Sequence, residues 1–220
     1  MKKVVVSFAA LSLFIAATAL ASDMVPLKTQ LPPPVFVGTP VPFHVPHLEP
    51  PIKGKRPDFM VPPGTTNLAL KKTVTSSTTD PINGTLDLVT DGDKAGDEGS
   101  YVELKPGKQW VQIDLGVEAN IYAILVWHFH SQERVYFDVV VQVSSDPTFS
   151  KDVTTVYNND AGNELGLGAG KDLDYVESYQ GKLIDAKAAK GRYVRFYSKG
   201  NTTDKLNHYI ESEVWGKPVS

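Results

Sequence analysis

The sequence predicts an all-β sandwich preceded by an extended, proline-rich segment. Three observations carry that prediction. Short runs of β-branched and aromatic residues are separated by turn-forming residues, with little helical periodicity. Prolines crowd residues 26–63, where they exclude both helix and central strand. No cysteine occurs in 220 residues, so the fold rests on an apolar core large enough to be stable without disulfides.

The first 21 residues read as a secretory signal. Lys2 and Lys3 precede an apolar run from Val4 to Leu20, and Ala19-Leu20-Ala21 supplies small residues at a cleavage site. A retained anchor is the competing reading of the same stretch. The formal net charge is −3, and losing Lys2 and Lys3 makes the balance more acidic. No basic run or arginine stripe occurs, which argues against nucleic acid as a partner and against docking to anionic lipid.

Residues 22–64 form the lead. Pro32-Pro33-Pro34, Pro50-Pro51 and Pro62-Pro63 are its densest points, and polyproline II is the expected conformation. Val35, Phe36, Val37, Phe43, Val45, Phe59 and Met60 make it too apolar for a simple solvated linker. It reads either as a spacer or as a strap laid along the domain that follows, residues 65–218.

Within that domain, Trp110 to Leu115 alternates apolar and polar residues and stops at Gly116. Ile121 to His130 is a mostly apolar run suited to a strand buried on both faces. Phe137 to Val143 is another strand, closed by the turn Ser144-Ser145-Asp146-Pro147. Tyr193 to Tyr197 and Tyr209 to Trp215 complete the sheet. The stretch from Tyr157 to Gly181 is rich in Asn, Asp and Gly, and reads as an ordered surface loop.

Asp91-Gly92-Asp93, the Trp110 strand, Gly191-Arg192-Tyr193-Val194-Arg195-Phe196 and the closing Tyr209 to Gly216 appear in an order that resembles the discoidin, or coagulation-factor type C, family of galactose-binding-like domains. The resemblance implies a jelly-roll β-sandwich over residues 65–218. It also implies one structural Ca²⁺. Asp91 and Asp93 are then ligands, Leu88, Gly96 and Ile210 give carbonyl oxygens, and Glu211 closes the site. Such hard oxygen donors suit calcium. Family members often carry Thr where this chain has Gly96.

A second constellation is His128, His130, Arg134 and Tyr136. Alternate residues of a strand share a face, so the two imidazoles are expected together. A transition metal needs a third ligand, and none is near in sequence. Imidazole, guanidinium and carboxamide groups read sugar hydroxyls, and an aromatic ring packs on the sugar's C–H face. His128, His130, Arg134 and Tyr136, with Asn158 and Asn159 from the next loop, are therefore the candidate ligand-binding residues.

No Gly-x-Ser-x-Gly, His-Glu-x-x-His or P-loop motif occurs, and the acidic residues do not suggest a carboxylate pair across a cleft. Trp110, Trp127 and Trp215 sit in strand patterns rather than as membrane-binding spikes. The expected function is non-catalytic recognition of a carbohydrate or cell-surface polysaccharide. The alternative is an adhesion or scaffold protein of the cell envelope or matrix that binds a cell-surface protein.

Overall fold

A computed structural model describes residues 24–35, 44–52 and 54–219. The signal-like segment and Phe36 to Phe43 lie outside the described residues. Among the described residues, eleven strands and one short 3-10 turn make up the regular structure. In chain order they are β1 (Val25–Pro26), β2 (Met60–Val61), β3 (Thr66–Asn67), β4 (Thr73–Ser76), the turn Leu86–Thr90, β5 (Val102–Leu104), β6 (Gln109–Trp127), β7 (Val140–Ser144), β8 (Thr154–Asn158), β9 (Lys182–Ser198), β10 (Asn207–Tyr209) and β11 (Glu211–Pro218). Among the described residues no helix is long and apolar enough to cross a membrane.

The main sheet runs β3-β11-β6-β9-β7-β8, with β4 paired to the first part of β6. All strand pairs are antiparallel. β6 is the spine. Its residues 111–114 pair with β4 and its residues 119–127 pair with β11, while β9 accompanies both parts. The β6–β9 ladder is interrupted between Asp114 and Ala119 and again between Ile121 and Ala123. A bulge adds a residue to one strand and increases its bend and twist. Here it also changes which residues face inward. Val111, Ile113 and Leu115 point into the main core, and beyond the second interruption Ile124 and Val126 do so. Leu125 and Trp127 turn to the opposite face.

That opposite face explains why the Ile121 run is apolar throughout. Leu125, Trp127 and Ile210 form a second cluster, flanked by Leu27, Tyr101, Leu183 and Trp215. Leu27 belongs to the lead. Its backbone N–H donates to Phe59 O (2.7 Å), and β1 and β2 pair beside it. Gly181 takes φ +63° against the Trp127 indole, where a Cβ would lie 2.5 Å from a ring atom.

The described parts of the lead thus form a strap along the sheet. Thr29 Oγ1 donates to Glu213 Oε2 (2.7 Å). Leu48 bridges Asp174, and Glu49 N donates to Asp174 O (2.8 Å). Lys182 Nζ meets Glu49 Oε2 at 2.5 Å and lies 4.7 Å from the Tyr175 ring centroid.

Several expected strands shift. The Phe137 to Val143 segment becomes β7 from Val140, because Asp138 has φ +54° and breaks the extended path. The Ile121 to His130 run ends as a strand at Trp127. The Tyr209 to Trp215 segment divides at Ile210, whose N–H donates to Trp127 O (2.8 Å).

Candidate functional site

The acidic loop begins where the turn Leu86–Thr90 ends. Asp91 Oδ1 accepts from Asp93 N (2.7 Å), and Asp93 Oδ1 accepts from Ala95 N (2.9 Å). Glu211 arrives from the first position of β11 and is fully buried. Its Oε2 accepts from Gly92 N (3.0 Å), while its Oε1 has no partner. Burial pushes the Glu211 carboxyl up to about 9. The Gly92 hydrogen bond and Lys94 oppose that rise, and the charges of Glu213 and Asp91 add to it.

Lys94 itself turns away to Glu213 Oε1 (2.9 Å) and lies 5.4 Å from the Trp127 ring centroid. The Gly96 carbonyl accepts from Ser131 Oγ (2.8 Å). No group of three or more His, Asp or Glu side chains gathers in a metal-holding arrangement among the described residues. The donor chemistry nonetheless fits a hard cation. Every expected donor is an oxygen, and the buried Glu211 Oε1 is uncompensated.

His128, His130 and Arg134 do not converge on one surface. β6 stops at Trp127, so strand alternation no longer orients the residues that follow. His128 is enclosed, its Nδ1 2.7 Å from Glu177 Oε1, and its ring stacks on Tyr136 at 4.4 Å. His130 points to the acidic loop, where its Nε2 donates to Lys94 O (2.8 Å). The Arg134 guanidinium donates to Asp204 Oδ2 (3.1 Å) and Gln132 Oε1 (3.0 Å), and lies 4.6 Å from the Phe129 ring centroid. Its acidic partner is therefore Asp204.

Tyr136 is also enclosed. Burial, followed by the nearby Arg134 charge, lowers the His208 imidazole to about 4. Neutral His208 donates from Nε2 to Glu103 Oε2 (3.0 Å) and accepts at Nδ1 from the Tyr136 hydroxyl (2.9 Å). These side chains frame the loops from within.

Asn158 and Asn159 hold their own loop. Asn158 Nδ2 donates to Gly168 O (2.9 Å), and Asn159 Nδ2 donates to Asp174 Oδ1 (2.9 Å). Buried Asp160 accepts from Glu164 N (2.7 Å) and Leu165 N (2.8 Å). The glycine-rich stretch is thus ordered around a carboxylate.

Two open concavities lie where the strap meets residues 173–183. One of about 320 Å³ is bordered by Glu49, Pro50, Glu133, Tyr179 and Gln180. A neighbour of about 420 Å³ is bordered by Ile52, Arg56, Leu173, Tyr175 and Lys182. Arg56 and Gln180 were not legible as site residues, since their partners lie across the chain. The visible signal is limited to charged residues, Glu49 and Arg56 among them, within a proline-rich segment.

Residues 88–196 match the F5/F8 type C family, in the branch described as NedA-like, galactose-binding domain. The sandwich is a galactose-binding-like domain of the F5/F8 type C family. No curated protein sequence matches the chain. Among solved structures, a family 89 glycoside hydrolase from Clostridium perfringens, in complex with 2-acetamido-1,2-dideoxynojirmycin, is 21% identical. The match covers 70% of this chain and 15% of that one, with a TM-score of 0.52. A fucose binding module of Streptococcus pneumoniae is 24% identical over 68% of this chain and 96% of its own, with a TM-score of 0.47. The CBM32 of AlyQ, in complex with 4,5-unsaturated mannuronic acid, is 20% identical over 64% and 92%, with a TM-score of 0.48. The galactose-binding-like domain of this chain shares its fold with the matched part of the glycoside hydrolase.

Proposed function

We propose that this chain is a secreted, non-catalytic carbohydrate-binding protein whose galactose-binding-like domain is held by a structural calcium ion. The observation that carries the reading is the groove between strap and loop on a sandwich of this family. Carboxylate and aromatic groups meet there at Glu49, Glu133 and Tyr179. Carboxylates accept hydrogen bonds from sugar hydroxyls, and an aromatic face packs on ring C–H groups. Arg134 and His130 act as positioning residues. Arg134 braces the loop that carries Gln132 and Glu133, and His130 ties that loop to Lys94.

Calcium would be held by Asp91, Asp93 and Glu211, with the carbonyl oxygens of Leu88, Gly96 and Ile210. It would join the acidic loop to β11 and compensate the buried Glu211 charge.

The test is a glycan array probed with the purified full chain in calcium and again in chelator. Binding to a defined sugar class supports the reading, and a lower Tm in chelator assigns calcium its structural role. Silence across the array from a folded, calcium-responsive protein overturns it in favour of a protein-binding scaffold.

A further inference from the structure

The strap and the sheet enclose a third cavity, of about 370 Å³, on the other side of the Arg56–Gln180 contact. This volume lies in the range of small-molecule sites, roughly 300–1,000 Å³. Its apolar boundary includes Leu27, Phe59, Leu125 and Leu183. Its charged boundary is cationic: Lys28, Lys55 and Arg56, against the single carboxylate Asp58. Asp58 is exposed and sits 3.5 Å from Lys55, a weak pair in water.

Arg56 is the informative member. It is half-buried, and burial lowers its pKa while the nearby Glu49 charge opposes that fall. One terminal nitrogen, Nη2, donates to Gln180 O (2.8 Å) and to Gly181 O. Among the described residues its Nε and Nη1 have no hydrogen-bond partner, and Arg56 joins no ion pair. Lys28 likewise has no partner among them. A partly desolvated guanidinium with spare planar donors suits a carboxylate, which it can bind through two parallel N–H bonds.

We propose that this cavity binds a carboxylate-bearing sugar residue of an acidic polysaccharide, with Arg56 reading the carboxylate and Lys28 and Lys55 supplying the surrounding positive charge. The inference rests on the carbohydrate-binding reading and adds to the groove a second site with its own ligand class. All three cations come from the strap, while Leu125, Gln180 and Leu183 come from the sandwich. The site is complete only with the strap docked, so a bound ligand stabilises that docking.

The experiment is isothermal titration of the full chain with an oligouronate and with a neutral oligosaccharide of equal length. The expected result is binding of the oligouronate alone, weakened by salt and reduced about tenfold or more by Arg56→Gln. Because Arg56 also fastens the strap, a Lys28→Ala/Lys55→Ala double variant is titrated in parallel. It should weaken the oligouronate several-fold without changing Tm. Hydrogen exchange should show the strap protected further when the oligouronate is present. Equal binding of both oligomers, or an unchanged affinity in the double variant, overturns the acidic-sugar inference and leaves carbohydrate binding standing. No oligouronate binding from a protein that is positive on the array also overturns it alone. No oligouronate binding together with a silent array overturns both.

Discussion

Arg56 donates two hydrogen bonds to Gln180, 124 residues away. The Arg56 backbone N–H donates to Gln180 Oε1 (2.9 Å), and the guanidinium donates to the Gln180 carbonyl (2.8 Å). Gln180 Nε2 also donates to Gly54 O (2.8 Å). One carboxamide therefore satisfies two backbone groups of the strap. Gln180→Ala leaves both without that partner and should cost about 1–3 kcal/mol. Limited proteolysis should then cut within residues 54–63 faster than in the wild type. Unchanged cleavage there would mean that the strap is held chiefly by Leu27 and its apolar neighbours.

His128 and Glu177 form an enclosed hydrogen-bonded pair, with further buried atoms, His128 Nε2 and Glu177 Oε2, left without partners. Removing one member of such a pair strands the other, whereas replacing both with apolar groups of the same shape can be nearly neutral. Glu177→Ala should destabilise by about 1–3 kcal/mol in urea unfolding. His128→Phe/Glu177→Leu should recover most of that loss. A double variant as unstable as the single one would show that the aromatic stack with Tyr136, not the hydrogen-bonded pair, dominates.

The strands with strict alternation were legible because each residue announces its own face. Trp110 to Leu115 lies within β6, and Tyr193 to Tyr197 within β9. The front of β9 was not legible, since Lys187 and Ala188 take positive φ where the ladder shifts and their side chains carry no strand pattern. The same limit applied to the site. His128 and His130 have the spacing of a shared strand face, but that spacing has force only inside a strand, and β6 has already ended. Arg134–Asp204 and Arg56–Gln180 join residues 70 and 124 positions apart, so no local pattern pairs them. The sequence leaves the lead open between spacer and strap for a related reason. The surface it covers includes Leu125, Trp127 and Leu183, which become a patch only after β6 and β9 pair.

Glu211 sets a dependence on both pH and calcium. Its folded carboxyl is raised from 4.5 to about 9, so the folded state holds a proton that the unfolded chain releases. The favourable contribution is complete below about 4.5 and is lost as pH rises towards 9. In chelator, the wild-type Tm should fall across that window, and Glu211→Gln should flatten the fall. Calcium reverses the ranking if the proposed site is occupied. At about one hundred times its Kd, the ion adds about 2.7 kcal/mol to the wild type and much less to the variant. A Glu211→Gln protein that gains as much Tm from calcium as the wild type would remove Glu211 from the metal site.

Asp160 tests whether the long loop is a built element. Its two carboxylate oxygens accept separately from Glu164 N and Leu165 N, and its own backbone N–H donates to Asn158 Oδ1 (2.9 Å). Leu165 is thereby seated on Val140 and Tyr197, beside Trp110 and Leu167. Asp160→Ala removes the acceptor for two backbone donors and should cost about 2–3 kcal/mol. Hydrogen exchange should accelerate at Glu164 and Leu165 before it changes at Val141 or Phe196, because those core residues keep their β7–β9 ladder. Equal acceleration in loop and core would instead make Asp160 part of the cooperative unit that unfolds with the sandwich.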